Sequence, residues 1–255
     1  MLKLDLPVRT KRPRSKGLSN LVDNGYGLLE LQDKLRLCSE YVDIVKFGWA
    51  SSLITKNLQD KVALFNEFGV KACPGGMMFE LCWWKKEIDS YLDWLEFHGI
   101  DLVEISNGSL EIPEKEKRRM IEFFVKKGFT VLSEVGSKDV NKNSSPEDWS
   151  EHVQADLKSG AWKVILEGRA DASAGVYRAD GSLIDNIVEH VLSETEADKL
   201  IFEAPHKAHM VWFIKRIGCN VNIGNVPLEE VLNLETLRLG LRGDTVSHFH
   251  ERRDI

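Results

Sequence analysis

Apolar residues in this chain follow two alternating rhythms: short continuous runs, and longer stretches in which they recur every three or four positions. Four of the runs share one form: Leu102-Val103-Glu104-Ile105-Ser106, Leu132-Ser133-Glu134-Val135-Gly136, Ile165-Leu166-Glu167-Gly168-Arg169 and Ile201-Phe202-Glu203-Ala204-Pro205. Each carries a glutamate near its end and meets Gly or Pro soon after. Successive glutamates lie about 30 to 36 residues apart, the length of one strand-plus-helix unit. Earlier in the chain, residues 17–23, 42–48 and 70–73 read as strands, the last followed by Pro74-Gly75-Gly76. That glycine pair suits either close approach of the backbone to a ligand or a tight turn. Residues 220–226 form the eighth predicted strand. Helical spacing fits 28–39, 57–68 and 87–98, a helix opened by Pro113, and one with Ser145 as N-cap and Pro146 at its first position. A closing helix contains Glu229, Leu232, Leu234, Leu237 and Leu241, with Arg238 and Arg242 among them.

Eight strands alternating with helices argue for a parallel sheet joined by crossovers. In one domain of this length they favour an α/β fold of the closed (β/α)8 TIM barrel type, single domain, with an open doubly wound sheet as the runner-up. A basic arm over residues 1–16 precedes a barrel domain over 17–255. No GxGxxG follows the first strand and no GxxxxGK[ST] occurs, so dinucleotide and P-loop sites lack support.

Composition narrows the partners. The 255 residues carry a formal net charge of -6, which gives no overall attraction to nucleic acid or to anionic membrane. Cys38, Cys73, Cys82 and Cys219 show no CxxC spacing and sit in apolar segments, as buried thiols in a reducing compartment would. Lys3, Arg9, Lys11, Arg12, Arg14 and Lys16 crowd the first 16 residues, but no apolar run follows them. A cytoplasmic protein with a basic arm is the simplest expectation, and a homo-oligomer is compatible with it.

In a TIM barrel the chemistry sits at the C-terminal ends of the strands. There the sequence places Asp23, Lys46, Glu104, Ser106, Glu134, Lys138, Glu167, Arg169, Glu203, Lys207, Asn222 and Asn225. Carboxylates unaccompanied by paired His or Cys suit Mg²⁺ better than zinc, so Glu104, Glu134, Glu167 and Glu203 are the metal candidates. The neighbouring cations suit a small anionic substrate, and the loops after strands seven and eight are a habitual phosphate site. Lys207 and Asn225 fall there, with Arg242 and Ser106 as further substrate-binding candidates, and His206 and His209 as helix-start or surface residues. The competing interpretation is a network of buried ion pairs that merely closes the barrel.

Lys46-Phe47-Gly48-Trp49, Pro74-Gly75-Gly76 with Phe79-Glu80, Val103 to Gly108, Glu134-Val135-Gly136, Glu167-Gly168-Arg169, Phe202-Glu203-Ala204-Pro205, Leu234 to Arg238 and Leu241-Arg242-Gly243-Asp244-Thr245 together resemble the phosphosulfolactate synthase family. The resemblance runs in order from about Gly17 to Thr245. It implies a (β/α)8 barrel and a Mg²⁺-dependent addition of sulfite to phosphoenolpyruvate giving (2R)-O-phospho-3-sulfolactate, an early step towards coenzyme M; the family also includes heat-stress-associated relatives. Two departures stand out. Ala170-Asp171-Ala172-Ser173-Ala174-Gly175 replaces a more glycine-rich run, and Gly136-Ser137-Lys138 replaces Gly-Lys-Lys. For such a reaction Lys138 is the expected general acid, with Lys46 and Arg169 as the other catalytic cations and Lys207 and Arg242 helping to gather the anions. Two other classes remain open: a Schiff-base aldolase using Lys46 or Lys138, and a non-catalytic heat-stress-associated barrel.

Overall fold

The computed structural model describes residues 4–136, 145–168, 171 and 173–250. Its eight strands, β1 (Ser19–Asp23), β2 (Ile44–Phe47), β3 (Lys71–Pro74), β4 (Leu102–Ile105), β5 (Thr130–Val135), β6 (Lys163–Leu166), β7 (Leu200–Glu203) and β8 (Ile223–Pro227), form one parallel sheet in the order β3-β2-β1-β8-β7-β6-β5-β4. The two ends of that sheet, β3 and β4, lie side by side, so it curls into a nearly closed (β/α)8 barrel. Helices surround it: α1 (Leu28–Cys38), α2 (Leu58–Glu67), α3 (Gly76–Trp84), α4 (Ile88–His98), α5 (Glu114–Lys126), α6 (Pro146–Lys158), α7 (Asp185–Glu194), α8 (Lys207–Ile217), α9 (Val231–Arg238) and α10 (Val246–Phe249). Among the described residues no helix is long and apolar enough to cross a membrane.

Alternation along the strands divides the molecule into two cores. Ile44, Cys73, Leu102, Leu132, Ile165 and Ile201 pack together inside the barrel. Two positions further along the same strands, on the same face, stand Lys46, Glu104, Glu134, Glu167 and Glu203. The outward-facing set, Val45, Val103, Val164 and Phe202 among it, joins the helices in the larger outer core. A polar layer thus rests directly on an apolar one, and all five of its charged side chains are buried.

Three differences from the sequence expectations have physical causes. Helix α3 was not predicted: its residues, Gly-Met-Met-Phe-Glu-Leu-Cys-Trp-Trp, are apolar on nearly every side and show no helical period. The closing helix breaks after Arg238, where Gly240 takes a left-handed φ of +66°, and resumes only as the short α10. Strand β8 starts at Ile223 because Asn220 and Asn222 give their side chains to the backbone instead: Asn222 Oδ1 accepts from the Leu18 amide at 2.9 Å and its Nδ2 donates to the Leu200 carbonyl at 2.8 Å. Asn222 therefore lies at the N-terminal end of the barrel, and its expected place at the C-terminal rim is corrected.

The basic arm is also more than a solvated tail. Arg9 Nε donates to Glu235 Oε1 at 2.8 Å and Nη1 to the Cys219 carbonyl at 2.9 Å, while Arg14 donates to Asp43 Oδ2 at 2.8 Å and Arg12 to the Ser39 carbonyl at 2.6 Å. Ser39 and Asp43 precede β2, Cys219 precedes β8, and Arg9 Nη2 also donates to the Gly17 carbonyl just before β1 at 3.1 Å, while Glu235 lies on α9, so the arm straps the N-terminal mouth of the barrel. Beneath it Arg238 is fully buried and donates to the carbonyls of Val221 at 2.6 Å and Leu18 at 3.1 Å. Burial, followed by the nearby Arg9, pushes its pKa down to about 9, against the pull of Glu235.

Removing one side of a buried ion pair strands the other charge. Arg14→Ala, which leaves the Asp43 carboxylate with the Ser19 amide at 2.8 Å and the Arg12 Nε at 3.8 Å, is expected to lower unfolding stability by up to about 3 kcal/mol. Lys11→Ala, at an exposed position of the same arm, is expected to shift it by less than about 0.5 kcal/mol. Urea titration measures both. Equal effects would show that the arm acts only through its total charge.

Candidate active site

Lys46 occupies the inward face of β2, one residue from its end, and its Nζ stands 3.2 Å from Glu104 Oε2 on β4 and 3.2 Å from Glu203 Oε1 on β7. β7 lies three places round the ring from both β2 and β4, so this contact spans the barrel interior. Glu203 Oε2 accepts from the Gly168 amide at 3.0 Å and from Asn225 Nδ2 at 3.2 Å, while the Glu203 carbonyl takes the Tyr177 hydroxyl at 2.6 Å. Asn225 reaches it from a bulge in β8, where pairing with β1 skips a residue and Asn225 adopts φ +56°. Glu104 Oε1 accepts from the Gly76 amide at 2.7 Å. That approach requires glycine: a Cβ at Gly76 would overlap Ser106 Oγ and stand 3.0 Å from Glu104 Oε1, and one at Gly75 would lie 2.6 Å from the Trp49 carbonyl. The Pro74-Gly75-Gly76 motif therefore serves close packing of α3 against β2 and β4.

The electrostatics follow from crowding. Burial alone would lower the Lys46 pKa, but Glu104, Glu203, Glu134 and Glu167 together outweigh it and lift the ammonium well above its ordinary range. Lys46 is thus held protonated. Burial raises the Glu104 carboxyl, Lys46 opposes this, and Glu134 and Glu203 add to it, with a net upward shift. Carboxylates that resist ionising together readily accept additional positive charge.

The other candidates fall into distinct places. Ser106 is buried and donates its hydroxyl to Glu80 Oε1; Glu80 also gathers the amides of Gly108 at 3.1 Å, Ser109 at 3.0 Å and Leu110 at 2.6 Å. Glu80 thus shapes the turn after β4, a role no periodicity indicated, since it depends on the unpredicted α3. Asp23 is committed to its own turn and to Lys61: Oδ1 accepts from the Gly25 and Tyr26 amides at 2.8 and 2.9 Å, and Oδ2 from Lys61 Nζ at 2.8 Å. Lys207, the first residue of α8, meets Asp244 at 3.0 Å, and Arg242 Nε lies 3.8 Å from the same carboxylate. The structure thus brings Lys207 and Arg242 together. His209 Nε2 lies 2.9 Å from the Gly181 carbonyl and its ring stacks on Tyr177; burial lowers its pKa, in keeping with a packing role. Lys138 and Arg169 lie outside the described residues.

Among the described residues, no three His, Cys, Asp or Glu side chains converge as a ready metal cage. Mg²⁺ does not demand one, because it commonly takes one or two carboxylates and completes its shell with water and substrate oxygens. Buried carboxylate oxygens are hard donors of the right chemistry, so the residues fit such an ion.

Comparison with known proteins bears on the family and the fold. A family model described as (2R)-phospho-3-sulfolactate synthase (ComA) matches residues 7–244, beginning within the arm that straps the barrel. Phosphosulfolactate synthase from Bacillus subtilis is 42% identical over 245 residues, covering 95% of this chain and 97% of that protein. Phosphosulfolactate synthase from Methanothermobacter thermautotrophicus is 38% identical, covering 94% and 95%. Among solved structures, 3-hexulose-6-phosphate synthase from Salmonella typhimurium matches with a TM-score of 0.55 at 16% identity, covering 88% of this chain and all of that one, a likeness of fold alone. A match along nearly the whole length establishes that the chain belongs to the phosphosulfolactate synthase family.

Proposed function

We propose that this chain catalyses the addition of sulfite to phosphoenolpyruvate, a carbon–sulfur bond-forming reaction of the lyase type, giving (2R)-O-phospho-3-sulfolactate. The observation that carries the proposal is the family match over residues 7–244, on a chain whose barrel rim holds Lys46 between Glu104 and Glu203. In the reaction the sulfur lone pair forms a bond to the methylene carbon, and the carbon–carbon π electrons move towards the carboxylate. A proton then goes to the phosphate-bearing carbon, so one sulfite, one phosphoenolpyruvate and one proton become one product.

The chain's residues divide this work. Lys46, kept cationic by its carboxylates, supplies a fixed positive charge at the barrel centre for the developing negative charge. Lys207 and Arg242, at the start of α8 and before α10, are the cations for the phosphoryl group. Lys138, which follows β5 in the sequence, is the general acid, with Arg169 helping to hold the anions together. Glu134 and Glu167, or their neighbours in the layer, would hold Mg²⁺. Such an ion supplies Lewis-acid stabilisation at the substrate carboxylate when bound.

The aldolase alternative asks Lys46 or Lys138 for a neutral amine. A lysine held protonated between two buried carboxylates is a poor nucleophile, which disfavours Lys46 in that role.

Exhaustive chelation with EDTA is expected to abolish turnover and added Mg²⁺ to restore it; full activity after chelation would remove the metal from the mechanism. Lys207→Ala is expected to raise the KM for phosphoenolpyruvate about tenfold, and far more than the KM for sulfite. Equal changes in both constants would indicate a general defect. Lys138→Met, which keeps the side chain's approximate length and removes its proton, is expected to lower kcat by about 10²- to 10⁴-fold while the protein still binds phosphoenolpyruvate. Borohydride added during turnover is expected to trap no lysine adduct, whereas a trapped adduct would place the enzyme among Schiff-base aldolases.

A further inference from the structure

The two cations assigned to the phosphoryl group already share an anion. Asp244 Oδ1 and Oδ2 lie 3.0 and 3.2 Å from Lys207 Nζ, and Oδ2 lies 3.8 Å from Arg242 Nε. The pair is only partly shielded: the Lys207 side chain is 52% exposed and that of Asp244 33%, so the contact is of the weak, displaceable kind. The backbone beside it is fixed. Thr245 is fully buried and donates its hydroxyl to the Leu237 carbonyl at 2.8 Å, while the amides of Thr245 and Val246 donate to the Arg242 carbonyl at 3.0 and 2.8 Å. Displacing the Asp244 carboxylate therefore requires a change of its side-chain rotamer and no movement of the chain. Lys207 and Arg242 supply donors to an anion, whereas Asp244 presents only acceptor oxygens.

We infer that Asp244 sets the affinity of the phosphoryl site, as a resident anion that an incoming ligand must displace. The inference rests on the assignment of Lys207 and Arg242 to that site. Its value comes from the chemistry proposed above, in which both substrates are anions with tetrahedral or pyramidal oxygens. Two bare cations at the rim would bind sulfite as well as a phosphoryl group. A carboxylate seated on them raises the threshold. A phosphoenolpyruvate molecule, anchored also by its carboxylate end, overcomes that threshold with binding energy from elsewhere, while sulfite has no second anchor. The displacement cost falls on both anions alike and weakens each by the same factor, so the weakly held sulfite falls below appreciable occupancy while phosphoenolpyruvate, with its second anchor, still fills the site. Its own carboxyl is held below the ordinary aspartate range, by the hydrogen bond from Lys207 first and by the charges of Lys207 and Arg242 next, so it is present as the anion at neutral pH.

The test is a four-way comparison of the full-length enzyme: unaltered, Asp244→Asn, Lys207→Ala, and both substitutions together. Each is assayed with Mg²⁺ over a grid of phosphoenolpyruvate and sulfite concentrations, and with inorganic phosphate as a competitive probe. Asp244→Asn keeps the side chain's shape and removes its charge. It is expected to lower the KM for phosphoenolpyruvate and the inhibition constant of phosphate by roughly three- to tenfold. It is also expected to introduce inhibition by excess sulfite that is competitive with phosphoenolpyruvate. In the Lys207→Ala background the same change is expected to have a much smaller effect, because the two residues act on one site. A raised KM for phosphoenolpyruvate in Asp244→Asn would overturn the inference and show that the carboxylate instead organises the two cations. An unchanged KM with no sulfite inhibition would overturn it too. Should Lys207→Ala alone leave the KM for phosphoenolpyruvate unaltered, the failure would belong to the phosphoryl-site assignment itself.

Discussion

The ion pairs that Lys46 makes with Glu104 and Glu203 across the barrel interior are the interaction on which the site depends. Buried carboxylates are costly to ionise, and breaking a buried pair by removing one partner typically costs about 3–5 kcal/mol. The barrel tolerates the cluster because the apolar layer of Ile44, Leu102, Leu132, Ile165 and Ile201 lies beneath it and leaves the charged layer facing the rim. The same strands carry both layers, two residues apart. Stability and chemistry are thus stacked along each strand, one above the other.

What surrounds that contact is arranged to hold it. Glu203 is fixed by the Gly168 amide, Asn225 and, through its backbone, Tyr177. Glu104 is fixed by the Gly76 amide, which comes close enough only because two glycines open α3. Behind β5, the buried Lys117 donates to the Glu134 carbonyl and pairs with Asp156 at 2.7 Å, so the end of that strand is braced from the helix side. Preorganised charge of this kind needs little rearrangement when negative charge develops on a substrate.

Much of this was legible in the sequence because it depends on local period. Strands that end in glutamate, spaced by one βα unit, give both the barrel and the inward layer of Lys46, Glu104, Glu134, Glu167 and Glu203. What escaped the sequence depends on pairing across long separations. Arg9 and Arg14 look like a solvated arm until Glu235 and Asp43 are placed beside them. Glu80 shapes the turn after β4 from a helix that lacks an apolar stripe. Periodicity misplaces Asn222 at the rim because side chains decide where β8 begins. Sequence pattern points to Lys207 and Arg242 as substrate cations, but only the folded chain shows the carboxylate they share.

The central claim is that this barrel makes a carbon–sulfur bond between sulfite and phosphoenolpyruvate. The most direct measurement follows phosphoenolpyruvate labelled with ¹³C at its methylene carbon by NMR, in the presence of the purified protein, sulfite and Mg²⁺. Conversion of the vinyl signal to that of a saturated carbon attached to sulfonate, with the phosphate ester retained, is the expected result. A vinyl signal that persists unless sulfite is replaced by a carbonyl compound, or phosphate released in its place, would contradict the claim.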